Sequence, residues 1–553
     1  MNRSQRRRAD KIAVKPLPST AAAQFFSQGV QHQIAGALDA ACAAYETALA
    51  LHPDHAEAHY NLGLALHHLG KLDQAIDCYR SAVVHDSRHA LALNNIAMIC
   101  KQMGRLEEAE AASLGSLEIE PSSSMFLSNL GAVLTDRGEP DRAAEAFEKA
   151  LAIDPENAQA LASFGEVLRR QGKTDEAVAA GRRAVAMQSD LVLGQYNLAL
   201  ALFDNGEIED CLERFRLALA LDPNLAEAHM HLALSSLYRG DFVLGWEEYE
   251  WRWRLKAFDW IREVGLLARP KWAGDEIADK TLVICAEQGL GDTIQFIRYL
   301  PFVLARAKRV VLWVQPALKA LLRNVEGVQL VGMDERLGGV DVYCPLLSLP
   351  RIFATTPRTI PPVAPYIKAE LAALERWRSR LGQTGLRVGI SWQGKPGAEF
   401  DGGRSIPLAC FAPLAAIPGV RLISLQKNFG TEQLADLPEG MQVETLGDDF
   451  DAGSGAFLDT VAVMENLDLV ITSDTAIAHL AGSLGRPTWV ALKRVPDWRW
   501  GIDATGSPWY PSMRLFRQTT AGDWDGVFLE IAKALPPWAA EADQAEDAQA
   551  GAG

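Results

Sequence analysis

A glycine recurs every 34 residues along the first half of this 553-residue chain. The seven glycines are Gly36, Gly70, Gly104, Gly138, Gly172, Gly206 and Gly240. A small residue keeps the same step, at Ala41, Ala75, Ala109, Ala143, Ala177, Cys211 and Gly245. A repeat of this length predicts a stack of helical pairs in which each unit contacts only its neighbours. Such an array leaves a long concave face open, which is typical of proteins that bind a partner.

Composition limits what the rest of the chain can be. A chain of 553 residues is too long to fold around a single hydrophobic core, so we expect three or more folding units. The formal net charge of -16 argues against general binding to nucleic acid or to anionic membranes. Seven scattered cysteines without CxxC spacing favour neither a disulfide framework nor a zinc site. No apolar run approaches a membrane span and the basic N-terminus leads into no secretory segment, so we expect a cytoplasmic protein.

The pattern along the chain predicts six segments. They are a flexible tail (1–21), a repeat array of about seven units (22–258), a linker (259–278), two α/β lobes (279–365 and 366–538) and a disordered tail (539–553). The last repeat departs from the pattern at Gly245 and Arg252. It also carries Trp246, Trp251 and Trp253, which we expect to pack the array onto the next domain.

Short apolar segments alternate with helical ones after the linker. We predict strands at 281–286, 310–314, 328–331 and 340–343 in the first lobe, and at 387–391, 420–425, 467–471 and 488–492 in the second. This alternation predicts a parallel, doubly wound sheet in each lobe. Ligands bind such sheets beyond the carboxyl ends of the strands, so we expect the functional site in the cleft between the lobes. A last helix is expected at 525–535.

The first candidate motif, Glu287-Gln-Gly-Leu-Gly-Asp-Thr293, directly follows the first predicted strand. Its glycines Gly289 and Gly291 would let the backbone approach a ligand, and the following helix N-terminus favours anions. The motif is neither GxGxxG nor a Walker sequence. A tight strand-to-helix turn with Asp292 as N-cap is the alternative explanation.

The second candidate motif, Thr472 to His479, follows the strand at 467–471. Ser473, Asp474 and Thr475 stand where backbone N–H groups and a helix dipole can hold a phosphate. Lys395 and Arg404 belong to the loop after the first strand of this lobe, so both are expected to face the same cleft. A cation beside a diphosphate is the functional interpretation. Helix capping and solvated loop charges are the alternatives.

These two motifs together resemble the family-9 glycosyltransferases of the heptosyltransferase type, over roughly residues 279–538. The resemblance implies a GT-B fold of two Rossmann-like lobes. It implies that Asp292 is the catalytic base, that Asp474, Thr475 and His479 bind the nucleotide-sugar, and that Arg404 contacts its phosphate. From their positions in the two motifs and in the loop of Arg404, we also expect Gly289, Gly291 and Thr293 to form the acceptor-side loop, and Lys395 and Ser473 to bind the donor. The family usually has glycine after the threonine, where this chain has Ala476.

The 34-residue pattern itself resembles the tetratricopeptide repeat. An asparagine precedes the Leu-Gly-like pair at Asn61, Asn95, Asn129 and Asn197, with Ser163 and His231 in the other two positions. The repeats are thereby similar to those of O-linked N-acetylglucosamine transferase, which implies an asparagine ladder that binds a peptide backbone. A carboxamide both donates and accepts, so a row of them suits an extended chain of any sequence. Hydrogen bonding within the repeats is the alternative.

We expect no metal and no other cofactor, with the nucleotide-sugar as co-substrate. Asp449-Phe-Asp451 and Asp523-Trp-Asp525 match the DxD pattern of metal-dependent transferases. Such triplets arise easily in an acidic chain, and GT-B enzymes generally need no such metal. Both triplets are therefore interpreted as incidental.

The function expected from these residues is protein glycosylation. The repeats would bind a polypeptide acceptor, Asp292 would deprotonate its hydroxyl, and the second lobe would hold the nucleotide-sugar. Resemblance to bacterial repeat–transferase fusions implies flagellin as one acceptor and a CMP-activated nonulosonic acid as one donor. Two alternatives stay open: a transferase with a saccharide or lipid acceptor, and a non-catalytic adaptor with a degenerate transferase domain.

Overall fold

The computed structural model describes residues 20–263, 268–362, 366–396, 402–453, 455–502 and 504–550. The chain divides into two compact units, Met1–Asp222 and Pro223–Gly553. The expected flexible tail (1–21) falls almost wholly outside the described residues, as does the end of the first predicted lobe at 363–365.

The first unit is built of helical pairs. Its helices are α1 (Thr20–Ile34), α2 (Leu38–Leu51), α3 (Ala56–His68), α4 (Leu72–His85), α5 (Ala90–Gln102), α6 (Leu106–Ile119), α7 (Ser124–Asp136), α8 (Pro140–Ile153), α9 (Ala158–Arg170), α10 (Thr174–Met187), α11 (Val192–Asp204) and α12 (Ile208–Leu221). Between the two helices of each pair lies a glycine of the 34-residue series, with φ between 74° and 82°. That left-handed conformation costs glycine least, which explains the spacing.

The repeats pack through small residues that receive aromatic rings. A Cβ atom added to Gly63 would lie 2.8 Å from the ring of Tyr79, and one added to Gly131 would lie 2.7 Å from the ring of Phe147. Both rings are buried. Close helix contact therefore requires a small residue on one helix of the pair wherever the other carries the aromatic. This confirms that the recurring sequence pattern is a packing pattern.

The second unit begins with a seventh helical pair, α13 (Ala226–Arg239) and α14 (Phe242–Glu248), which leads into the 3₁₀ helix Tyr249–Arg254. Trp246 is 2% exposed and packs edge-to-face on Trp498, at a centroid distance of 5.2 Å. Trp251 differs from this expectation, because its ring stacks at 3.5 Å on His229 of the same repeat. Trp253 packs against the buried cluster that contains Val283 and Trp313, so the last repeat packs on the α/β part through both Trp246 and Trp253.

Two parallel sheets follow. The first has the strands β1 (Ile277–Cys285), β2 (Ala307–Val314), β3 (Val328–Gly332) and β4 (Val342–Pro345), in the order β3-β2-β1-β4. The second has β5 (Leu386–Ser391), β6 (Val420–Ser424), β7 (Val443–Glu444), β8 (Leu469–Thr472), β9 (Thr488–Leu492) and β10 (Met513–Arg517), in the order β10-β9-β8-β5-β6-β7. All eight predicted strands are present. The sequence did not predict β7, which has two residues, or β10, an edge strand with arginines at 514 and 517.

Strand order creates a crevice in each sheet. The chain runs outward from β5 to one side and then returns to place β8 on the other, so the direction of winding reverses between these two strands. The same reversal separates β1 from β4 in the first sheet. The loops after such strands diverge and leave room for a ligand. Both candidate motifs lie in these loops.

The remaining helices of the second unit cover the sheets. They are α15 (Asp259–Glu263), α16 (Leu290–Phe296), α17 (Leu300–Leu304), α18 (Pro316–Lys319), α19 (Leu349–Ile352), α20 (Leu371–Leu381), α21 (Ala412–Ala415), α22 (Leu458–Glu465), α23 (Ala476–Ser483) and α24 (Trp524–Ala550). α24 extends into the expected disordered tail, because alanine and glutamate are strong helix formers. Across the described residues, none of the helices has the length and apolar character that crossing a bilayer would need.

Breaking the buried ion pair of Arg252 should destabilise the second unit. Arg252 and Glu287 are both 0% exposed and lie 2.9 Å apart. Arg252→Met leaves a buried carboxylate without its cation, which typically costs about 3–5 kcal/mol. All 14 tryptophans lie at or beyond Trp246, so tryptophan fluorescence during urea unfolding reports this unit. The exposed neighbour Arg254 provides the control, Arg254→Met, and equal losses in both variants would contradict the prediction.

Candidate functional site

The two candidate motifs meet at Gly291. This glycine lies in the first turn of α16, and a Cβ atom there would come within 2.9 Å of Cδ2 of His479 and 3.3 Å of Cα of Ala476. Both of those residues belong to α23, in the other sheet's lobe. Only glycine allows this approach without a shift of one helix. The structure therefore brings together the start of α16 and the start of α23, which follow the switch-point strands β1 and β8.

Asp292 is held from both sides. Its Oδ2 accepts a hydrogen bond of 2.9 Å from the backbone N–H of Gly289, and its Oδ1 pairs with the guanidinium of Arg499. Gly289 is the N-cap of α16, so Asp292 caps from inside the first turn and not from the N-cap position. Burial raises the pKa of Asp292; the guanidinium of Arg499 opposes this rise and the carboxylate of Asp497 adds to it. The side chain stays 20% exposed, so a ligand can reach it.

Arg499 is a site residue that sequence reasoning missed. Its guanidinium donates to Asp497 (2.9 Å) and to Gln295 (2.5 Å) in addition to Asp292. It also stacks on the ring of Trp498, 4.4 Å from the centroid. Its loop, Asp497-Trp-Arg-Trp500, follows β9, the neighbour of β8. The available signal was this position beyond the carboxyl end of a strand next to the switch point, since the loop matches no motif.

The start of α23 offers hydrogen-bonding groups. The Ser473 backbone N–H donates to the carbonyl of Ser391 at the end of β5 (3.1 Å). The Ser473 hydroxyl oxygen is buried without a hydrogen-bond partner among the described residues. Burial raises the pKa of Asp474 to about 6, helped by the carboxylate of Asp497 and opposed by Arg499 and Arg404. Both residues directly precede the N-terminus of α23, the end of a helix whose dipole favours anions.

Arg404 reaches the same place, whereas Lys395 stays exposed. A Cβ atom at Gly394 would lie 3.0 Å from Nη2 of Arg404 and 3.5 Å from Cγ2 of Thr475, so both side chains border this glycine. Lys395 is the exposed next residue, and 397–401 of the same loop lie outside the described residues. The structure thus brings Arg404 and Thr475 together and leaves Lys395 in solvent.

Gln426, which sequence reasoning also missed, fixes this loop. Its Oε1 accepts from the backbone N–H of Trp392 (2.9 Å) and from the hydroxyl of Ser391 (3.0 Å), and its Nε2 donates to the carbonyl of Gln393 (2.7 Å). A single carboxamide therefore satisfies the turn directly after β5. No sequence motif marks it, but its position just after β6 places it at the same edge of the sheet.

His479 is buried and neutral. Its Nδ1 lies 3.2 Å from the Tyr510 hydroxyl, and its ring stacks on Trp500 at 5.8 Å. Burial and the nearby guanidinium groups of Arg499 and Arg298 hold the pKa of His479 well below its ordinary value. The imidazole can thus donate or accept a hydrogen bond but carries no charge at neutral pH.

Thr293 and the two DxD triplets have internal partners. The Thr293 hydroxyl is buried within hydrogen-bond distance of the Gly289 carbonyl (3.2 Å) and of Gln315 Oε1 (3.0 Å). Asp451 accepts from the backbone N–H of Asp459 (2.7 Å), and Asp523 accepts from that of Gly526 (2.8 Å). These carboxylates therefore cap local structure, and the described residues contain no group of three or more metal-binding side chains.

The predicted asparagine ladder bonds to the preceding repeat. Asn95 Nδ2 donates to the Tyr60 hydroxyl (3.4 Å), Asn129 Nδ2 to Asn94 Oδ1 (2.7 Å) and Asn197 Nδ2 to the carbonyl of Ala162 (3.0 Å). In each case the acceptor residue lies 35 positions earlier. The fourth asparagine, Asn61, is 0% exposed. Three of the four thus make the internal bond that the sequence left open, and peptide binding by the ladder stays a prediction.

A double-mutant cycle should detect this structural role. Asn94→Ala and Asn129→Ala each remove one side of the same hydrogen bond, worth roughly 0.5–1.5 kcal/mol. Because the double variant loses that bond only once, it should be less destabilised than the sum of the single variants. The free energy of unfolding is followed by far-UV circular dichroism, which the helical repeats dominate. Strict additivity would contradict the internal bond and favour a free ladder.

Comparison with known proteins identifies the repeats. Models of the tetratricopeptide repeat match residues 35–88, 88–156 and 122–190. Protein FlbA of Caulobacter vibrioides is 26% identical over 322 residues, which cover 54% of this chain and 52% of FlbA. This chain therefore spans about half the length of that relative.

Two solved structures are similar over part of the chain. The APC/C hetero-tetramer Cut9–Hcn1 is 17% identical with a TM-score of 0.36, over 42% of this chain and 46% of its own. MamA of Desulfovibrio magneticus RS-1 is 25% identical with a TM-score of 0.26, over 29% and 91%. Family models and helical geometry agree, and residues 35–190 are tetratricopeptide repeats.

Proposed function

We propose that this chain is a GT-B glycosyltransferase that transfers a sugar from a nucleotide-sugar to a polypeptide bound by the repeats. The observation that carries the proposal is the contact of Gly291 with Ala476 and His479. A carboxylate of raised pKa thereby lies beside a helix N-terminus that carries a buried hydroxyl, Ser473, which has no hydrogen-bond partner among the described residues. A base and an anion-binding group on facing lobes are what group transfer from a diphosphate requires.

The donor diphosphate would bind at the start of α23. Backbone N–H groups there, the Ser473 hydroxyl and the guanidinium of Arg404 supply neutral and cationic donors. Two further features favour an anion. His479 donates without needing a charge, and the raised pKa of Asp474 lets this carboxyl group take up a proton when a diphosphate approaches. Thr475 borders the same space.

Asp292 would act as general base. The acceptor hydroxyl gives its proton to the Asp292 carboxylate while its oxygen forms a bond to the anomeric carbon of the donor. The bond from that carbon to the diphosphate oxygen breaks, and its electron pair leaves with the nucleoside diphosphate. Arg499 orients the carboxylate, and burial makes it more basic than an exposed aspartate. Arg404 and the N-terminus of α23 would stabilise the negative charge that develops on the departing phosphate.

Asp292→Asn should abolish most turnover without unfolding the chain. The amide still accepts a hydrogen bond from Gly289 but is no base, so the rate should fall about 10²–10⁴-fold. Turnover is measured as nucleotide released from whichever UDP-, GDP-, ADP- or CMP-sugar stabilises the chain. Asp204→Asn is the matched control, since Asp204 also pairs with an arginine, Arg169 (2.7 Å), and lies in a repeat outside residues 226–254. Wild-type turnover by Asp292→Asn would leave the carboxylate as a cap only.

Donor binding should strengthen as the pH falls from 7.5 to about 5.5. The folded pKa of Asp474 is raised to about 6, so below that value the group is neutral and no longer repels the diphosphate. A nucleotide-sugar itself keeps its charge over this range, because a pyrophosphate diester, like the phosphodiester of a CMP-sugar, is a strong acid. Calorimetric titration at both pH values should show roughly a several-fold gain in affinity. The variant Asp474→Asn should remove the pH dependence, and a persisting dependence would assign it to another group.

Thermal stability separates this proposal from its alternatives. A nucleotide-sugar at about 100 times its dissociation constant stabilises a protein by roughly 2.7 kcal/mol. A folded chain that responds to none of the four nucleotide-sugars would favour the non-catalytic adaptor. A chain that binds and hydrolyses the donor but modifies only a saccharide or lipid would favour the alternative acceptor class.

A further inference from the structure

The last helical repeat contacts both loops that form the candidate site. We infer that residues 226–254 position the Asp292 and Arg499 loops, and that this repeat is a support of the site as well as the last unit of the array. The catalytic consequence rests on the proposed function, whereas the support itself rests on contacts within Pro223–Gly553.

The repeat departs from its own pattern where it makes these contacts. Counting back from Arg252 in steps of 34 gives Ala218, Ala184, Ala150, Ser116, Ala82 and Ala48. These six equivalents are small and buried, as a close helix contact requires. An arginine is too large and too polar for the close helix contact that this position makes in the other repeats. Its presence therefore points to a role outside the repeat.

Arg252 joins two loops at the switch point of the first sheet. Its Nη2 donates to Glu287 Oε1 and to the Ser348 hydroxyl, at 2.9 Å each. Glu287 in turn accepts from the backbone N–H groups of Leu346 (2.9 Å) and Leu347 (3.2 Å). Glu287 follows β1 and Leu346 follows β4. The guanidinium thus fixes the first residue of the Asp292 loop to the loop across the crevice.

Tyr249 fixes the next residue of that loop. Its hydroxyl accepts a hydrogen bond of 2.7 Å from Gln288 Nε2, and the Gln288 carbonyl accepts one of 2.5 Å from Gln315. The phenol is buried, so this bond is shielded from water. Tyr249 occupies the aromatic position of the repeat, which Tyr45 occupies in the first helical pair. The hydroxyl at this repeat position therefore bonds outside the repeat in Tyr249, whereas in Tyr45 it bonds to Gln33 of the same helical pair.

The other side of the repeat supports the Arg499 loop. Trp246 and Phe242 pack on Trp498 at centroid distances of 5.2 Å and 6.4 Å. The Tyr238 hydroxyl accepts from Arg517 (3.1 Å), which itself donates to the Gly501 carbonyl (2.9 Å). The last repeat therefore supports Trp498 and Gly501, which lie on either side of Arg499 in the sequence. It also holds the loop that carries Asp292, the ion-pair partner of Arg499.

Tyr249→Phe compared with Tyr45→Phe tests the inference in the full chain. Both remove the hydroxyl of a buried tyrosine at the same repeat position; Tyr45 donates to Gln33 (2.7 Å). Hydrogen–deuterium exchange is measured for the peptide covering 286–293 without any nucleotide. Loss of one buried hydrogen bond should accelerate exchange there roughly 2- to 10-fold in Tyr249→Phe and leave it unchanged in Tyr45→Phe. Gln288→Leu, which removes the same bond from its other side, should reproduce the acceleration.

The catalytic part has a separate readout. Tyr249→Phe should lower kcat for nucleotide release while leaving the KM for the nucleotide-sugar unchanged, because the donor binds the other lobe. Unchanged exchange at 286–293 in both Tyr249→Phe and Gln288→Leu would overturn the inference. Accelerated exchange with unchanged kcat would overturn the positioning role. A wild-type chain without any turnover would contradict only the proposed function, because exchange tests the support directly.

Discussion

The second unit depends on satisfying one buried positive charge. Arg252 is 0% exposed, and an isolated guanidinium in that environment would be very costly. Its cost is offset only because Glu287, Glu250, Ser348 and the Tyr249 carbonyl all accept from it. These acceptors come from the helical repeat and from both loops of the first crevice. The need to neutralise a single guanidinium thereby fixes the position of three chain segments relative to one another.

The sequence predicts the fold well where a periodic constraint acts on it. The turn glycines recur because each helical pair has the same turn, and the small residues recur because the helices of a pair pack closely, in most pairs against an aromatic ring. The eight predicted strands, among them the edge strands β3 and β4 of the first sheet, were found because each contains a short apolar run. β10 was missed for the opposite reason: an edge strand can carry Arg514 and Arg517 without burying their charges.

The candidate site is only partly predictable. Asp292 and Asp474 each follow a strand at the switch point of its own sheet, and this position is predictable from the order of elements. The contact at Gly291 that joins the two helix starts is a property of the packed lobes. Arg499 could not be found in the same way, because its role depends on where a loop after β9 turns, and no short motif encodes that turn. The asparagine row shows a second limit. The asparagines do recur at the predicted spacing. A 34-residue period does not show, however, whether a carboxamide faces a ligand or bonds to a residue 35 positions earlier in the preceding repeat.

The contacts described above that support the candidate site all lie within residues 223–553, and this has a consequence for how such a chain can evolve. The first six helical pairs share the turn glycine and the small residue, whereas the seventh carries the substitutions that hold the loops. Whole units of 34 residues could thus be duplicated or deleted before residue 223 without changing any of the supporting residues identified within 226–254. The length of the repeat array is free to change, while the unit at its end has to be inherited together with the α/β lobes.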